Sequence, residues 1–247
     1  MTTNNENLKA KLNARRPVTG TFVSIPHAAA IEACANSEMD FICIDAEHAS
    51  IGRETMENMI RAGERENTVL VRIPDAKSGW VGWALDAGAE GVVVPRIESA
   101  AEAEAVVRAA YYSPRGARGV GICRGSSYGE SLLTDTQVAH QRTCVIVQIE
   151  TLAGVNNAVE IANTPGIDAI FVGPFDLALS LQEASTDDRL ELEEAIDIIK
   201  QACESSGRCM GIFCLNSEAA VKRQDFPMKI IGADLLFIQQ GLSMIAK

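Results

Sequence analysis

Several polar residues stand where apolar runs stop, and their types could do chemistry. One apolar run ends in Asp45-Ala46-Glu47-His48, another in Gln148-Ile149-Glu150, and a third in Gly173-Pro174-Phe175-Asp176. Arg72 follows Val69-Leu70-Val71 directly. Glu150 and Asp176 are hard oxygen donors, and two carboxylates completed by water suit an octahedral Mg²⁺ or Mn²⁺. Zinc fits less well, because neither Cys nor His stands at ligand spacing beside them. The competing use of each carboxylate is to cap a helix N-terminus, and Asp176 could do both. His48, with a side chain that titrates near neutrality, suits proton transfer; His27, after Pro26, is a second candidate at the same level. The planar fork of Arg72 suits a carboxylate or enolate oxygen. Gly173-Pro174 would let the backbone N–H groups of Phe175 and Asp176 open a helix and receive a small carboxylate.

Such residues need a frame that brings run ends together. Eight short runs are expected as strands, at 18–25, 41–47, 69–74, 91–97, 144–150, 169–174, 210–214 and 235–239, separated by helical stretches. The runs are apolar throughout rather than alternating, the pattern of parallel strands buried on both faces. Eight strand–helix units in 247 residues, with no Pro/Gly linker, point to one α/β domain over 1–247, a (β/α)8 TIM barrel with an N-terminal helix within 1–16. An open doubly wound sheet is the alternative, weakened by the lack of a GxGxxG after the first strand. In a barrel of this kind the C-terminal strand ends form the site. The longest irregular stretch, 113–135, holds Arg115, Arg118 and Arg124 and five glycines, and could contact an anion.

Composition narrows the function. Lys+Arg 22 against Asp+Glu 33 gives a net charge of −11, with no basic stripe, which argues against nucleic acid or an anionic membrane surface. No apolar run reaches the roughly 18 residues of a membrane span, and the opening residues are polar. The seven cysteines are scattered without a CxxC, as expected of reduced residues in a cytoplasmic protein.

The ordered set DAEH, VRIP, LDAGAEGVVVP, YYSPRGARGVG, VQIET and FVGPFDLALS, running from about residue 7 to residue 215, resembles the metal-dependent pyruvate aldolases, the family of the 4-hydroxy-2-oxo-heptanedioate and 2-keto-3-deoxy-sugar-acid aldolases. The resemblance implies a (β/α)8 barrel in a homo-oligomer, a hexamer built of dimers. It implies aldol cleavage of a 4-hydroxy-2-oxo acid to pyruvate and an aldehyde, with a divalent metal steadying the enolate. By motif, Glu150 and Asp176 would be metal ligands and Arg72 would bind the pyruvyl oxygen. His48 would exchange the proton, supported by Asp45 and paired with Asp86 across a subunit interface. Gln148 and Gly173 would line the pyruvate pocket, and the backbone of Phe175 and Asp176 would take the carboxylate. No Lys is expected at a strand end for a Schiff base, since Lys11, Lys77 and Lys222 fall in helical or loop stretches.

The chain also departs from the family pattern. DAEH stands for the usual DGEH, and Phe175 occupies a position the family tends to keep small. With the eighth strand at 235–239, its sequel reads FIQQGLS, which would lose the family's Gly-x-Asp, and the last helix would be cut short at Lys247. Those changes leave room for a second reaction found within the resemblance, the citrate-forming condensation of oxaloacetate with acetyl-CoA, with the loop arginines serving a second carboxylate or a CoA phosphate. A non-catalytic scaffold is a third reading, disfavoured by the presence of every metal, Arg and His position.

Overall fold

The computed structural model describes residues 6–246 apart from 66, 77–78 and 184–189. Lys77, expected in a helix or loop, lies outside the described residues. Eight parallel strands close into a barrel in sequence order: β1 (Val18–Val23), β2 (Phe41–Asp45), β3 (Thr68–Arg72), β4 (Gly91–Val94), β5 (Cys144–Ile149), β6 (Ala169–Val172), β7 (Cys209–Cys214) and β8 (Met228–Ala233). Closure settles the choice between barrel and open sheet, since β8 pairs with β1.

Strand periodicity divides the buried residues into two layers. Phe22, Phe41, Cys43, Leu70, Val93, Ile146, Phe171 and Met228 point inward and pack together within the barrel. Val23, Ile42, Ile44, Val71, Val92, Val147, Ile170 and Val172 point outward under the helices. This two-sided burial is why the strands read as unbroken apolar runs.

The first helix, Leu8–Asn13, belongs to the inner layer. Leu8 and Leu12 pack among the inward strand residues. Lys9 Nζ binds Asp168 at 2.5 and 2.7 Å and donates to Tyr111 Oη (2.9 Å) and the Thr143 carbonyl (3.0 Å). A cation that has left water is thus satisfied on several sides.

The last unit differs from the sequence expectation. The eighth strand is Met228–Ala233, and residues 235–239 lie in a helix, Asp234–Ile245. The Gly-x-Asp pattern is therefore present, as Gly232-Ala233-Asp234, and the final helix is formed. The Asp234 carboxylate is buried and accepts from the backbone N–H of Ser24 (3.0 Å), Ile25 (2.8 Å) and Leu235 (2.9 Å). One side chain so ties the first turn of the last helix to the end of β1.

The stretch 113–135 is also more ordered than its composition suggests. It contains a 3₁₀ segment, Arg124–Gly129, and the start of a helix, Leu132–Val138. Two of its arginines anchor it. Arg118 pairs with Asp86 at 2.7 Å and stacks on Tyr112. Arg124 pairs with Glu64 and donates to the Ala87 carbonyl. Among the described residues, no helix is long and apolar enough to cross a membrane.

Candidate active site

The C-terminal strand ends surround a cavity of about 220 Å³ lined by Asp45, His48, Arg72, Gln148, Gly173, Phe175 and Asp176, with Phe22, Phe171 and Phe213 among its apolar walls. Sequence reasoning placed the first seven at one rim, and the fold brings them together. Asp86, at the end of the helix Trp80–Asp86, does not line this cavity; its carboxylate is taken by Arg118. His27 caps the helix Ala28–Ala35, its Nδ1 accepting from Ala29 N–H at 3.1 Å.

Strand register creates the firmest part of the site. Asp45 and Arg72 are paired residues at the ends of β2 and β3. Arg72 Nε donates to Asp45 Oδ1 at 2.9 Å and Nη2 to Oδ2 at 2.7 Å. Asp45 Oδ1 also accepts the backbone N–H groups of Glu47 (3.2 Å) and His48 (3.3 Å). One carboxylate therefore fixes both the guanidinium and the turn that carries His48. The underside of the guanidinium lies 4.2 Å from the ring of Phe22.

Glu47, which the sequence marks only as part of a strand end, turns inward, its side chain 14% exposed. Its Oε2 is 3.3 Å from Arg72 Nε and 3.7 Å from His48 Nε2. That oxygen is buried and has no hydrogen-bond partner among the described residues, and the same holds for Gln148 Oε1. Burial pushes the Glu47 carboxyl up to about 7, with Asp45 and Asp176 adding to the effect and Arg72 opposing it. Burial likewise pushes Glu150 up to about 7, with Glu47 and Asp176 reinforcing it and the Gln148 amide opposing it.

Glu150 is held from two sides. Its Oε1 accepts the Arg96 N–H at 2.9 Å, and its Oε2 accepts Gln148 Nε2. Arg96 reaches that position because its backbone is left-handed, φ 53°; a non-glycine residue there is uncommon and often marks a functional site. Nothing in the local sequence signals it. Gly173 leaves room for this pair, since a Cβ would fall 2.8 Å from Glu150 Oε2 and 2.9 Å from Gln148 Nε2.

The helix Pro174–Gln182 starts at this glycine, with Pro at its first position and Asp176 in its first turn. Its free N–H groups and partial positive charge face the cavity mouth. Among the described residues, no three His, Cys, Asp or Glu side chains stand in metal-ligand array. The donor set nonetheless fits a hard cation. Asp176 is close enough to Glu150 to raise its proton affinity, and the buried oxygens Glu47 Oε2 and Gln148 Oε1 lack a hydrogen-bond donor among the described residues.

Comparison with known proteins agrees with this geometry. A hydroxypyruvate/pyruvate aldolase of Paraburkholderia phytofirmans is 34% identical over 249 residues, covering 96% of this chain and 95% of that protein. A 4-hydroxy-2-oxo-heptane-1,7-dioate aldolase of Shigella boydii serotype 18 is 31% identical, covering 86% of this chain and 82% of that protein. Among solved structures, an HpcH/HpaI aldolase/citrate lyase family protein from Burkholderia cenocepacia superposes with TM-score 0.89 at 32% identity, over 97% of this chain and 99% of that one. The citrate synthase SbnG superposes with TM-score 0.85 at 30% identity, over 97% and 96%. The sequence profile of HpcH/HpaI aldolase/citrate lyase matches residues 18–236. A closed parallel barrel with an arginine–carboxylate clamp and two rim carboxylates is thus joined by sequence likeness along nearly its whole length, and the chain belongs to the HpcH/HpaI aldolase/citrate lyase family.

Proposed function

We propose that this chain is a divalent-metal-dependent carbon–carbon lyase that reversibly cleaves a 4-hydroxy-2-oxo acid to pyruvate and an aldehyde. The observation that carries the reading is the buried Arg72 guanidinium, clamped by Asp45 in the same cavity as Gln148, Asp176 and the opening of a helix. Mg²⁺ or Mn²⁺ held by Glu150 and Asp176 would supply fixed positive charge beside the oxygens of the 2-oxo acid.

The residues have separate tasks. The backbone N–H groups of Phe175 and Asp176 donate to the substrate carboxylate, with Gln148 and Gly173 bordering it. As the C3–C4 bond breaks, its electron pair moves into the C2–C3 bond and charge develops on the C2 oxygen. Arg72 donates to that oxygen, and its rigid clamp means little reorganisation is needed as the charge appears. The C4 hydroxyl proton leaves as the aldehyde forms, and a proton is returned to C3 to complete the methyl group of pyruvate. His48, exposed at the rim beside Glu47, exchanges these protons. Asp45 orients Arg72 and the His48 turn. In a homo-oligomer, Asp86 would reach the His48 of a neighbouring copy. Among the described residues, none of those lining the cavity is a lysine, so the reading rests on Arg72 and the metal rather than on a Schiff base. The partner is a small 2-oxo acid rather than nucleic acid or membrane, and the seven unpaired cysteines suit the cytoplasm.

Likeness to a citrate synthase keeps the condensation of oxaloacetate with acetyl-CoA as the second reading. It loses the support of Arg118 and Arg124, which are engaged in anchoring their own loop.

The test is pyruvate release from a panel of 4-hydroxy-2-oxo acids, coupled to lactate dehydrogenase, with Mg²⁺, Mn²⁺ or EDTA. Release that EDTA stops and Glu150→Ala abolishes is the expected result. A folded, metal-supplied protein that releases none overturns the reading, and free CoA from oxaloacetate and acetyl-CoA would then support the second.

A further inference from the structure

The cavity has two chemically different sides. Asp45, His48, Arg72, Gln148 and Asp176 form the polar side. Beside them, four phenylalanine rings run from floor to mouth; Phe22 underlies the Arg72 guanidinium at 4.2 Å, and Phe213 and Phe175 continue the wall away from that cation. Phe171 meets Phe22 edge-on at 6.4 Å, Phe22 meets Phe213 at 5.9 Å, and Phe213 meets Phe175 at 6.1 Å. The innermost rings are almost fully buried, whereas Phe175, at the mouth, is 58% exposed. Among the described residues lining the cavity, the basic ones are Arg72 and His48, both on the polar side.

We propose that the aldehyde partner carries an apolar chain, held along Phe213 and Phe175, and that Phe175 sets the preference for it. The inference rests on the aldolase reading, which assigns the polar side to the pyruvyl half of the substrate. The substituent beyond C4 must then leave along the rings. An alkyl chain lying there buries its own surface and that of Phe175, which otherwise stays in water. A terminal carboxylate on the aldehyde would sit against the Phe213 and Phe175 rings, beyond Arg72, in a chain of net charge −11 and with Asp176 nearby. The Phe175 ring can be removed without removing its backbone N–H, so the carboxylate contact and the chain contact are separable.

The experiment measures kcat/KM in the condensation direction, at saturating pyruvate and Mn²⁺, for hexanal, acetaldehyde and succinic semialdehyde. Hexanal is expected to exceed each of the others by about tenfold or more, the scale on which an apolar pocket separates substrates. In Phe175→Ala the hexanal-to-acetaldehyde ratio is expected to fall by about threefold to tenfold. Succinic semialdehyde matching hexanal overturns the proposal. So does an unchanged or increased ratio in Phe175→Ala, which would make the ring a bystander or a block. Pyruvate release from the hydroxy-oxo acid panel, measured on the same preparation, separates the failures. Release with a flat aldehyde preference overturns the aldehyde assignment alone, whereas no release from any acid removes the underlying reading.

Discussion

Asp45 and Arg72 stand opposite one another at the same register of β2 and β3, joined by two hydrogen bonds of 2.9 and 2.7 Å. The pair is buried and the geometry bidentate, so each partner depends on the other. Arg72→Lys keeps a positive charge but cannot fill both carboxylate oxygens while facing the substrate. It should lower kcat for pyruvate release by about 10²-fold or more. Arg72→Met leaves Asp45 buried without its cation and should cost about 3–5 kcal/mol in urea denaturation. Near-normal activity in Arg72→Lys would remove the fork geometry from the mechanism.

The raised carboxyls at the rim predict how metal binding follows pH. Burial pushes Glu47 and Glu150 from 4.5 up to about 7. Between those values the folded chain keeps protons that the unfolded chain has released. These two groups therefore add stability at low pH that is lost as pH rises through about 7. A cation must displace those protons, so its apparent affinity weakens below about 7. The rise in Tm on adding Mn²⁺ should be larger at pH 8 than at pH 6, by scanning fluorimetry with EDTA as reference. An equal rise at both pH values would contradict the coupling.

Gly173 has no side chain because Glu150 and Gln148 occupy the space. In Gly173→Ala the new methyl group would have to displace a carboxylate oxygen or an amide nitrogen, each within 3 Å of it. Activity should fall by about 10²-fold, with a loss of about 1–3 kcal/mol in stability because the methyl group overpacks a buried site. Full activity would show that Glu150 has freedom to move.

Asp234 carries no assigned chemistry, and a stability measurement should reveal its work. Asp234→Ala strands the N–H groups of Ser24, Ile25 and Leu235 that its carboxylate accepts. The expected loss is about 1–3 kcal/mol in chemical denaturation. A neutral result would mean that water replaces the carboxylate at the seam.

Much of this architecture was legible before the fold. Residues such as Val69–Val71 and Val92–Val94 are apolar on successive positions because one face meets the barrel interior and the other the helices. The runs ending at Asp45, Arg72, Gln148 and Gly173 are each continued or closed by candidate site residues. The last unit was misread for a physical reason. In β8, Lys229 and Ile231 are only partly buried, so the strand lacks an unbroken apolar run. The helix after it presents Leu235, Phe237 and Ile238 with half or nearly half of their surface in solvent, and that run imitates a buried strand. Arg96 was missed because its contribution is a backbone N–H presented by a left-handed conformation. Glu47 was passed over because strand alternation does not foretell which way a side chain turns once the strand has ended.

The inner packing layer has a consequence for how this barrel can change. Phe22 and Phe171 are at once walls of the cavity and members of the barrel's central packing, where Leu70, Ile146 and Met228 are their neighbours. Altering either ring reshapes the interior along with the pocket. Phe175 and Phe213, nearer the opening, are less constrained. New substrates are therefore reached most readily by varying the outer rings, while the floor is inherited with the fold.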